Sequence, residues 1–170
     1  MNNKKRIKII NICLLITLTL SLTACDLFSK KVKQEDFSIN TEWINRDEIN
    51  ESDLKIETPY LTLYYPKEYT DYVTYKTHNE DDEYVVDFIG KLNKHKEKLF
   101  SIAIGTISDD YSSLGTVTDD DGVTYDIGLK TYEFGDDSWD ESELDMMASM
   151  QEAMNYTINM LSQETTYTRP

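Results

Sequence analysis

Cysteine is scarce in this chain of 170 residues, which contains only Cys13 and Cys25. Both cysteines lie within the first 25 positions, so the rest of the chain has no thiol for a disulfide, a metal site or a nucleophile. Stability must therefore come from a packed apolar core, which a domain of about 100 residues can form without cross-links.

Recognisable catalytic motifs are also lacking. The sequence has no nucleophile elbow, no zinc-binding His-Glu helix motif and no phosphate-binding glycine loop. Its two histidines, His78 and His95, lie at a predicted strand end and in a lysine-rich turn, and neither place predicts the buried, oriented imidazole of a general base. Acidic pairs are too frequent for any one of them to indicate a glycosidase-type site. We predict no catalytic residue and no cofactor.

A long hydrophobic run is missing as well. The apolar stretch at residues 9–22 is interrupted by Asn11 and is shorter than the roughly 20 residues that a membrane-spanning helix needs. It follows a basic start without acidic residues, formed by Lys4, Lys5, Arg6 and Lys8. This pattern is typical of a secretory signal peptide, which we place at residues 1–24. An uncleaved membrane helix is the alternative.

The apolar stretch ends in Leu22-Thr23-Ala24-Cys25. This motif resembles the lipobox of bacterial lipoprotein precursors, in which a branched apolar residue and two small residues precede a cysteine. The resemblance implies cleavage by signal peptidase between Ala24 and Cys25 and a diacylglycerol on the Cys25 sulfur. Two acyl chains are enough for stable anchoring. The resemblance thus implies a protein on the outer face of the cytoplasmic membrane, where Asp26 would act as a retention signal in a Gram-negative cell.

Positive charge is in short supply. The chain has 17 basic and 32 acidic residues and a net charge of −15, and removal of residues 1–24 leaves 13 basic residues and a net charge of −19. Such a charge argues against nucleic acid as a partner and against a second, electrostatic membrane contact. Cationic peptides, divalent ions or polyamines would be tolerated, although a solvated acidic surface is the simpler interpretation.

Residues 25–56 are polar and densely charged, and we interpret them as a tether. Low hydrophobicity and high charge favour disorder in the first part of this segment. The second part carries apolar side chains that would dock it onto the domain as a short helix or an extra strand: Phe37, Trp43, Ile44 and Leu54.

Residues 57–162 are predicted to form one α+β domain. Apolar alternation predicts strands at residues 60–65, 72–78, 84–92, 99–107, 114–118 and 123–134. The most apolar of these, residues 99–107, should lie inside the sheet, and a polar turn is predicted at residues 94–98. Asp121-Gly122 between two alternating runs predicts a hairpin. We therefore expect an antiparallel sheet of about six strands.

A helix should follow Asp140 or Ser142, either of which is a suitable N-cap. Its expected core face has the spacing of one helical stripe and consists of Leu144, Met147, Ala148, Gln151, Met154, Ile158 and Leu161. We predict one long C-terminal helix packed on one face of the sheet, followed by a frayed tail at residues 163–170.

Two features suggest ligands. Four aspartates surround the predicted turn, Asp119, Asp120, Asp121 and Asp126, and they have the oxygen ligands that Ca²⁺ prefers. They lack the spacing of an EF-hand loop, so a plain hairpin turn is the favoured interpretation.

Tyrosines are abundant at predicted strand positions, where they either form an aromatic surface for sugars or peptides or simply fill the sheet. These tyrosines are Tyr60, Tyr64, Tyr65, Tyr69, Tyr72, Tyr75 and Tyr84.

Several short motifs, Thr58-Pro59-Tyr60, Leu63-Tyr64-Tyr65-Pro66, Lys98-Leu99-Phe100 and residues 150–155, are similar to those of uncharacterised lipoproteins of low-GC Gram-positive bacteria. The similarity covers about residues 57–161 and implies no particular activity. We expect a non-enzymatic binding or accessory module that meets a protein, peptide or envelope ligand at the cell surface. The alternatives are a small envelope enzyme with paired carboxylates and a purely structural envelope component.

Overall fold

The structure, a computed structural model, describes residue 39 and residues 41–164 and 166–170. The predicted signal peptide and the predicted modification site at Ala24 and Cys25 lie outside these residues. The described residues form eight strands, two α-helices and two short 3₁₀ helices. The strands are β1 (Leu54–Glu57), β2 (Thr62–Tyr65), β3 (Val73–Glu80), β4 (Glu83–Leu92), β5 (His95–Gly105), β6 (Ser112–Thr118), β7 (Thr124–Thr131) and β8 (Tyr167–Thr168). The α-helices are α1 (Glu141–Glu152) and α2 (Met154–Leu161), and the 3₁₀ helices are Glu42–Asn45 and Lys67–Tyr69.

Six strands form one antiparallel sheet in the order β3-β4-β5-β7-β6-β8. The predicted α+β fold with an antiparallel sheet of about six strands and a C-terminal helical segment is confirmed. The strand predicted to lie inside the sheet, β5, is flanked by β4 and β7. It begins earlier than expected, because the turn from β4 is made at Asn93, which has a positive φ of 49°. The lysine-rich segment predicted as a turn therefore belongs largely to β5.

The remaining two strands, β1 and β2, form a separate two-stranded ladder. The strand predicted at residues 60–65 is thus not part of the main sheet. In the ladder Ile56 lies opposite Leu63, and each is 1% exposed because both point into the core. Trp43 is also buried, so residues in the second part of the predicted tether belong to the folded body.

The helical segment packs on the sheet through a stripe that shares Met147 and Leu161 with the predicted one but differs from it at other positions. Asp140 caps α1 in a capping box with Glu143, as expected of an N-cap residue. Ala153 separates α1 from α2, and the buried side chains include Met146, Met147, Met150 and Met160, whereas Ala148 is exposed. The prediction of Ala148 and Gln151 as core residues was wrong, since flexible methionines fill the space above the sheet. Gln151 instead donates from Nε2 to the carbonyls of Leu99 and Tyr132, at 2.7 and 2.8 Å.

The connection from β5 to β6, residues 106–111, has to cross β7, because β7 lies between these two strands. It crosses above Gly128 of β7. A Cβ atom at Gly128 would lie 2.7 Å from Cβ of Tyr111 and 3.0 Å from Cδ1 of Ile107. Glycine is needed here because the crossing chain comes too close for any side chain.

The C-terminal residues were predicted to be frayed. Tyr167–Thr168 instead forms the short edge strand β8, which pairs with β6. The Tyr167 hydroxyl donates to the carbonyl of Leu114 at 2.5 Å. The Tyr167 ring packs partly buried against the core and holds this segment in place. The polar composition of residues 163–170 does not reveal this contact.

Candidate functional site

The two faces of the six-stranded sheet have different surroundings. The helices and the β1-β2 ladder pack on the face that carries Val86, Phe88 and Phe100, where the two phenylalanine rings stack at 4.3 Å. We call the opposite side the outer face and define it by Lys76, Asp87, Lys98, Ser101 and Lys130, listed here in chain order. Polar and charged side chains dominate the outer face, as is usual for the solvated side of an antiparallel sheet.

Asp87 lies at the centre of the outer face and is only 4% exposed. Its Oδ1 accepts a hydrogen bond from Ser101 Oγ at 2.5 Å, and its Oδ2 lies 3.0 Å from Lys98 Nζ. Nδ1 of His78 is 3.8 Å from the same oxygen. Lys98 Nζ also lies 4.9 Å from the ring centroid of Tyr132. Burial would lower the pKa of the Lys98 ammonium group, but Asp87 and Tyr132 raise it above its ordinary value, so the ion pair is maintained at neutral pH.

These groups contain the residue types of a Ser-His-Asp triad but not its arrangement. Ser101 Oγ donates to Asp87 rather than to His78, and Ser101 is fully buried. A nucleophile needs an adjacent base and access to a substrate, and neither condition is met here. The cluster is therefore an ion pair that holds Lys98 in place, beside a buried His78 Nδ1 that has no hydrogen-bond partner among the described residues.

One end of the outer face is rich in lysine. Four of the ten basic residues in positions 41–170 fall within residues 91–98. Lys91 and Lys96 lie directly opposite each other on β4 and β5, and both are exposed. Lys76 is exposed on the neighbouring strand β3, opposite Asp87. We call Lys76, Lys91, Lys96 and Lys98 the lysine end.

The other end of the outer face is acidic and slightly concave. A cavity of about 120 Å³ is lined by residues that include Glu83, Asp110, Tyr111 and Lys130. Glu83 accepts a hydrogen bond from the Ser108 backbone at 2.7 Å, and Lys130 pairs with Asp110 at 2.9 Å. Burial, followed by nearby acidic groups, raises the pKa of Tyr111 to about 12. The charges of the outer face are thus separated along its strands.

His95 is buried among contacts that stabilise the fold. It is 9% exposed, its ring stacks on Trp139 at 4.0 Å, and its Nε2 lies 3.3 Å from Glu143 Oε2. The same carboxylate accepts from Asn93 Nδ2 at 2.9 Å. These contacts attach the β4-β5 hairpin to the start of α1, so the lysines of the hairpin have a rigid support.

The predicted Asp-Gly hairpin is confirmed between β6 and β7. Asp119 Oδ1 accepts from the backbone N–H groups of Asp121 and Val123, at 3.0 and 2.8 Å, and Oδ2 accepts from the Tyr125 hydroxyl at 3.1 Å. Within the described part of the chain, no group of three or more His, Cys, Asp or Glu side chains has a geometry that could hold a metal ion. The contacts of Asp119 are those of a residue that stabilises the turn.

The strand tyrosines do not form one exposed patch. Tyr65 and Tyr69 are completely buried, and Tyr60 packs against Tyr84 and Tyr125, with ring centroids 6.3 and 4.5 Å away. Of the seven tyrosines named above, Tyr75 alone is exposed. These tyrosines therefore do not form the exposed aromatic surface on which a sugar or a peptide would stack.

Two buried carboxylates do converge on one arginine. Asp53 and Glu68 both contact Arg46, at 2.9 and 2.8 Å, and their side chains are 0% and 3% exposed. Asp53 also accepts from the backbone of Lys67 at 3.0 Å and from the Tyr156 hydroxyl. Both oxygens of Asp53 are satisfied by protein donors, as in a structural ion pair. Glu68 accepts through Oε2, and its buried Oε1 has no hydrogen-bond partner among the described residues. No periodic pattern predicts this cluster, because Glu68 lies 22 residues from Arg46 and Tyr156 lies 103 residues from Asp53.

Comparison with known proteins found no matching family model, no matching curated protein and no matching solved structure. Among the described residues, no helix is long and apolar enough to cross a membrane.

Proposed function

We propose that this protein is a lipid-anchored binding or accessory module on the outer face of the cytoplasmic membrane, and that it meets its partner through the outer face of the sheet. The lipobox-like motif at Cys25 supports the anchor. The observation that supports the contact surface is the lysine end, where cations cluster in a chain of net charge −15.

The placement of Lys91 opposite Lys96 is the most informative part of this cluster. Like charges directly opposite each other destabilise a sheet, so folding alone does not favour this pair. An anionic partner would remove the repulsion. The enzymatic alternative has no comparable support, because the convergent carboxylates Asp53 and Glu68 are occupied by Arg46.

Mass spectrometry of the membrane fraction tests the anchor. We expect a mature chain that begins at Cys25 and carries a diacylglycerol, and we expect Cys25→Ala to release the protein from the membrane. A chain that retains residues 1–24, or a Cys25→Ala variant that still floats with membranes, would contradict the anchor.

Crosslinking in native membranes tests the contact surface. The double variant Lys91→Gln/Lys96→Gln should lose its crosslinks to an anionic membrane component, whereas Lys55→Gln/Lys67→Gln, which removes the same charge from the β1-β2 region, should keep them. Equal crosslinking by both variants would exclude the lysine end as the contact surface.

A further inference from the structure

The lysine end has a charge and a shape that suit one kind of partner. We infer that it docks on the anionic phospholipid headgroups of the membrane that holds the anchor. This inference rests on the proposed function, because the anchor keeps the domain beside that membrane.

The length of the intervening chain keeps the lysine end within reach. Residues 26–40 separate Cys25 from the first continuous described residue, Thr41. Fifteen residues span at most about 50 Å when fully extended. Such a link gives the domain a high effective concentration at the membrane, so a weak contact is enough for docking. The link itself contains Lys30, Lys31 and Lys33 close to the anchor.

The overall negative charge does not prevent this contact. At physiological ionic strength, charges are screened over about 8 Å. Glu83, at the acidic end of the outer face, lies eight positions along β4 from Lys91, which corresponds to about 26 Å. Lys76 lies closer to an acidic residue, because Glu80 is four positions away along β3, about 13 Å, so the headgroups would interact mainly with Lys91 and Lys96.

Two carboxylates on β4 and β5 lie close to the lysine end but do not present a free charge beside it on the outer face. Asp87 is buried beneath Lys98 and is paired with it at 3.0 Å. Glu97 lies opposite Gly90, which faces Met147 of α1, and so points to the side of the sheet away from the outer face. The exposed cations Lys76, Lys91 and Lys96 thus share this part of the outer face, with the exposed Asp71 at its edge, next to Tyr72, whose carbonyl accepts from the Lys91 N–H group.

The geometry also suits a flat partner. The lysines project from neighbouring strands of a sheet rather than from the walls of a groove. The hairpin that carries them is fixed by the stacking of His95 on Trp139 and by the hydrogen bond from Asn93 to Glu143. Each lysine brought close to an anionic leaflet strengthens association about fivefold.

Lysine acetylation of the purified, lipidated protein tests this contact. The protein is reconstituted in neutral phosphatidylcholine vesicles or in vesicles that also contain phosphatidylglycerol, and reaction rates are measured for each lysine by mass spectrometry. We expect Lys91 and Lys96 to react at least fivefold more slowly on the anionic vesicles, and 0.5 M salt to remove the difference. Lys55 and Lys67 are internal controls whose rates should not change.

Paired variants separate docking from a general charge effect. In Lys91→Gln/Lys96→Gln, protection of Lys76 on anionic vesicles should disappear, while Lys55→Gln/Lys67→Gln should retain it. Equal rates on both vesicle types would overturn the inference. Protection on neutral vesicles as well would overturn it in favour of a protein contact, such as self-association. Failure of the anchor is recognised separately, because the protein would then not float with neutral vesicles.

Discussion

Replacement of Asp53 by asparagine is expected to destabilise the domain by about 3–5 kcal/mol, the usual loss when one partner of a buried ion pair is removed. Oδ1 of Asp53 accepts from Arg46 Nη1 at 2.9 Å and from the Lys67 backbone at 3.0 Å. Oδ2 accepts from the Asn50 backbone at 2.8 Å and from the Tyr156 hydroxyl. The NH₂ group of an asparagine would face two of these donors, with which it cannot form the same hydrogen bonds. Arg46 would then keep Glu68 as its only carboxylate partner.

An exposed ion pair provides the matched control. Lys55 and Glu57 approach to 2.7 Å, closer than Arg46 and Asp53, but their side chains are 53% and 75% exposed. Solvent screens such a pair, so Glu57→Gln should leave the unfolding midpoint unchanged. Urea unfolding followed by circular dichroism measures both variants. An Asp53→Asn loss below about 1 kcal/mol, or one equal to that of Glu57→Gln, would refute the argument that burial decides the strength of the pair.

The same cluster predicts an alkaline transition. Burial, and then the hydrogen bond to Asp53, raise the pKa of Tyr156 above its ordinary value, so the folded state holds this proton more tightly than the unfolded state. The resulting stabilisation is complete below about pH 10 and is lost as the pH rises towards the pKa of the folded state. Urea midpoints should therefore fall above pH 10, and they should fall less in Tyr156→Phe.

Three further substitutions test the sheet. Lys96→Glu should stabilise the domain by about 0.2–1 kcal/mol in thermal unfolding, because it converts the Lys91–Lys96 repulsion into an attraction, and it should abolish protection on anionic vesicles. Gly128→Val should cost about 1–3 kcal/mol in urea unfolding, since its side chain would meet Tyr111. Asp119→Ala should cost about 1 kcal/mol through lost turn hydrogen bonds, and added calcium should not change the melting temperature of the wild-type protein.

For each of these substitutions, a definite result would contradict the prediction. A less stable Lys96→Glu protein would mean that Lys91 and Lys96 do not repel each other across the strands. A Gly128→Val protein of unchanged stability would show that the β5-β6 connection does not press on β7. A calcium-dependent rise in melting temperature would restore the aspartates around the turn as a metal site.

Some of the main elements could be predicted from the sequence because their causes are local. Alternation along residues 123–134 and the Asp121-Gly122 pair predict a hairpin, and both signals operate between residues a few positions apart. Asp140 and Glu143 form a capping box within one helical turn. The core stripe of the helix was predicted correctly at Met147 and Leu161 and wrongly at Ala148 and Gln151. Periodicity alone does not reveal that the helix is interrupted at Ala153 or that methionines fill the space above the sheet.

The sequence by itself determined the α+β class, the strand-turn pattern and the clustering of lysines at residues 91–98, since all of these depend on neighbours along the chain. Only the tertiary structure decided that Lys76 joins Lys91 and Lys96 on one face and that Asp87 lies beneath Lys98. Strand register brings these residues together, and register is set by which apolar side chains share the core. The charge of a surface therefore follows from the packing on the opposite side of the sheet.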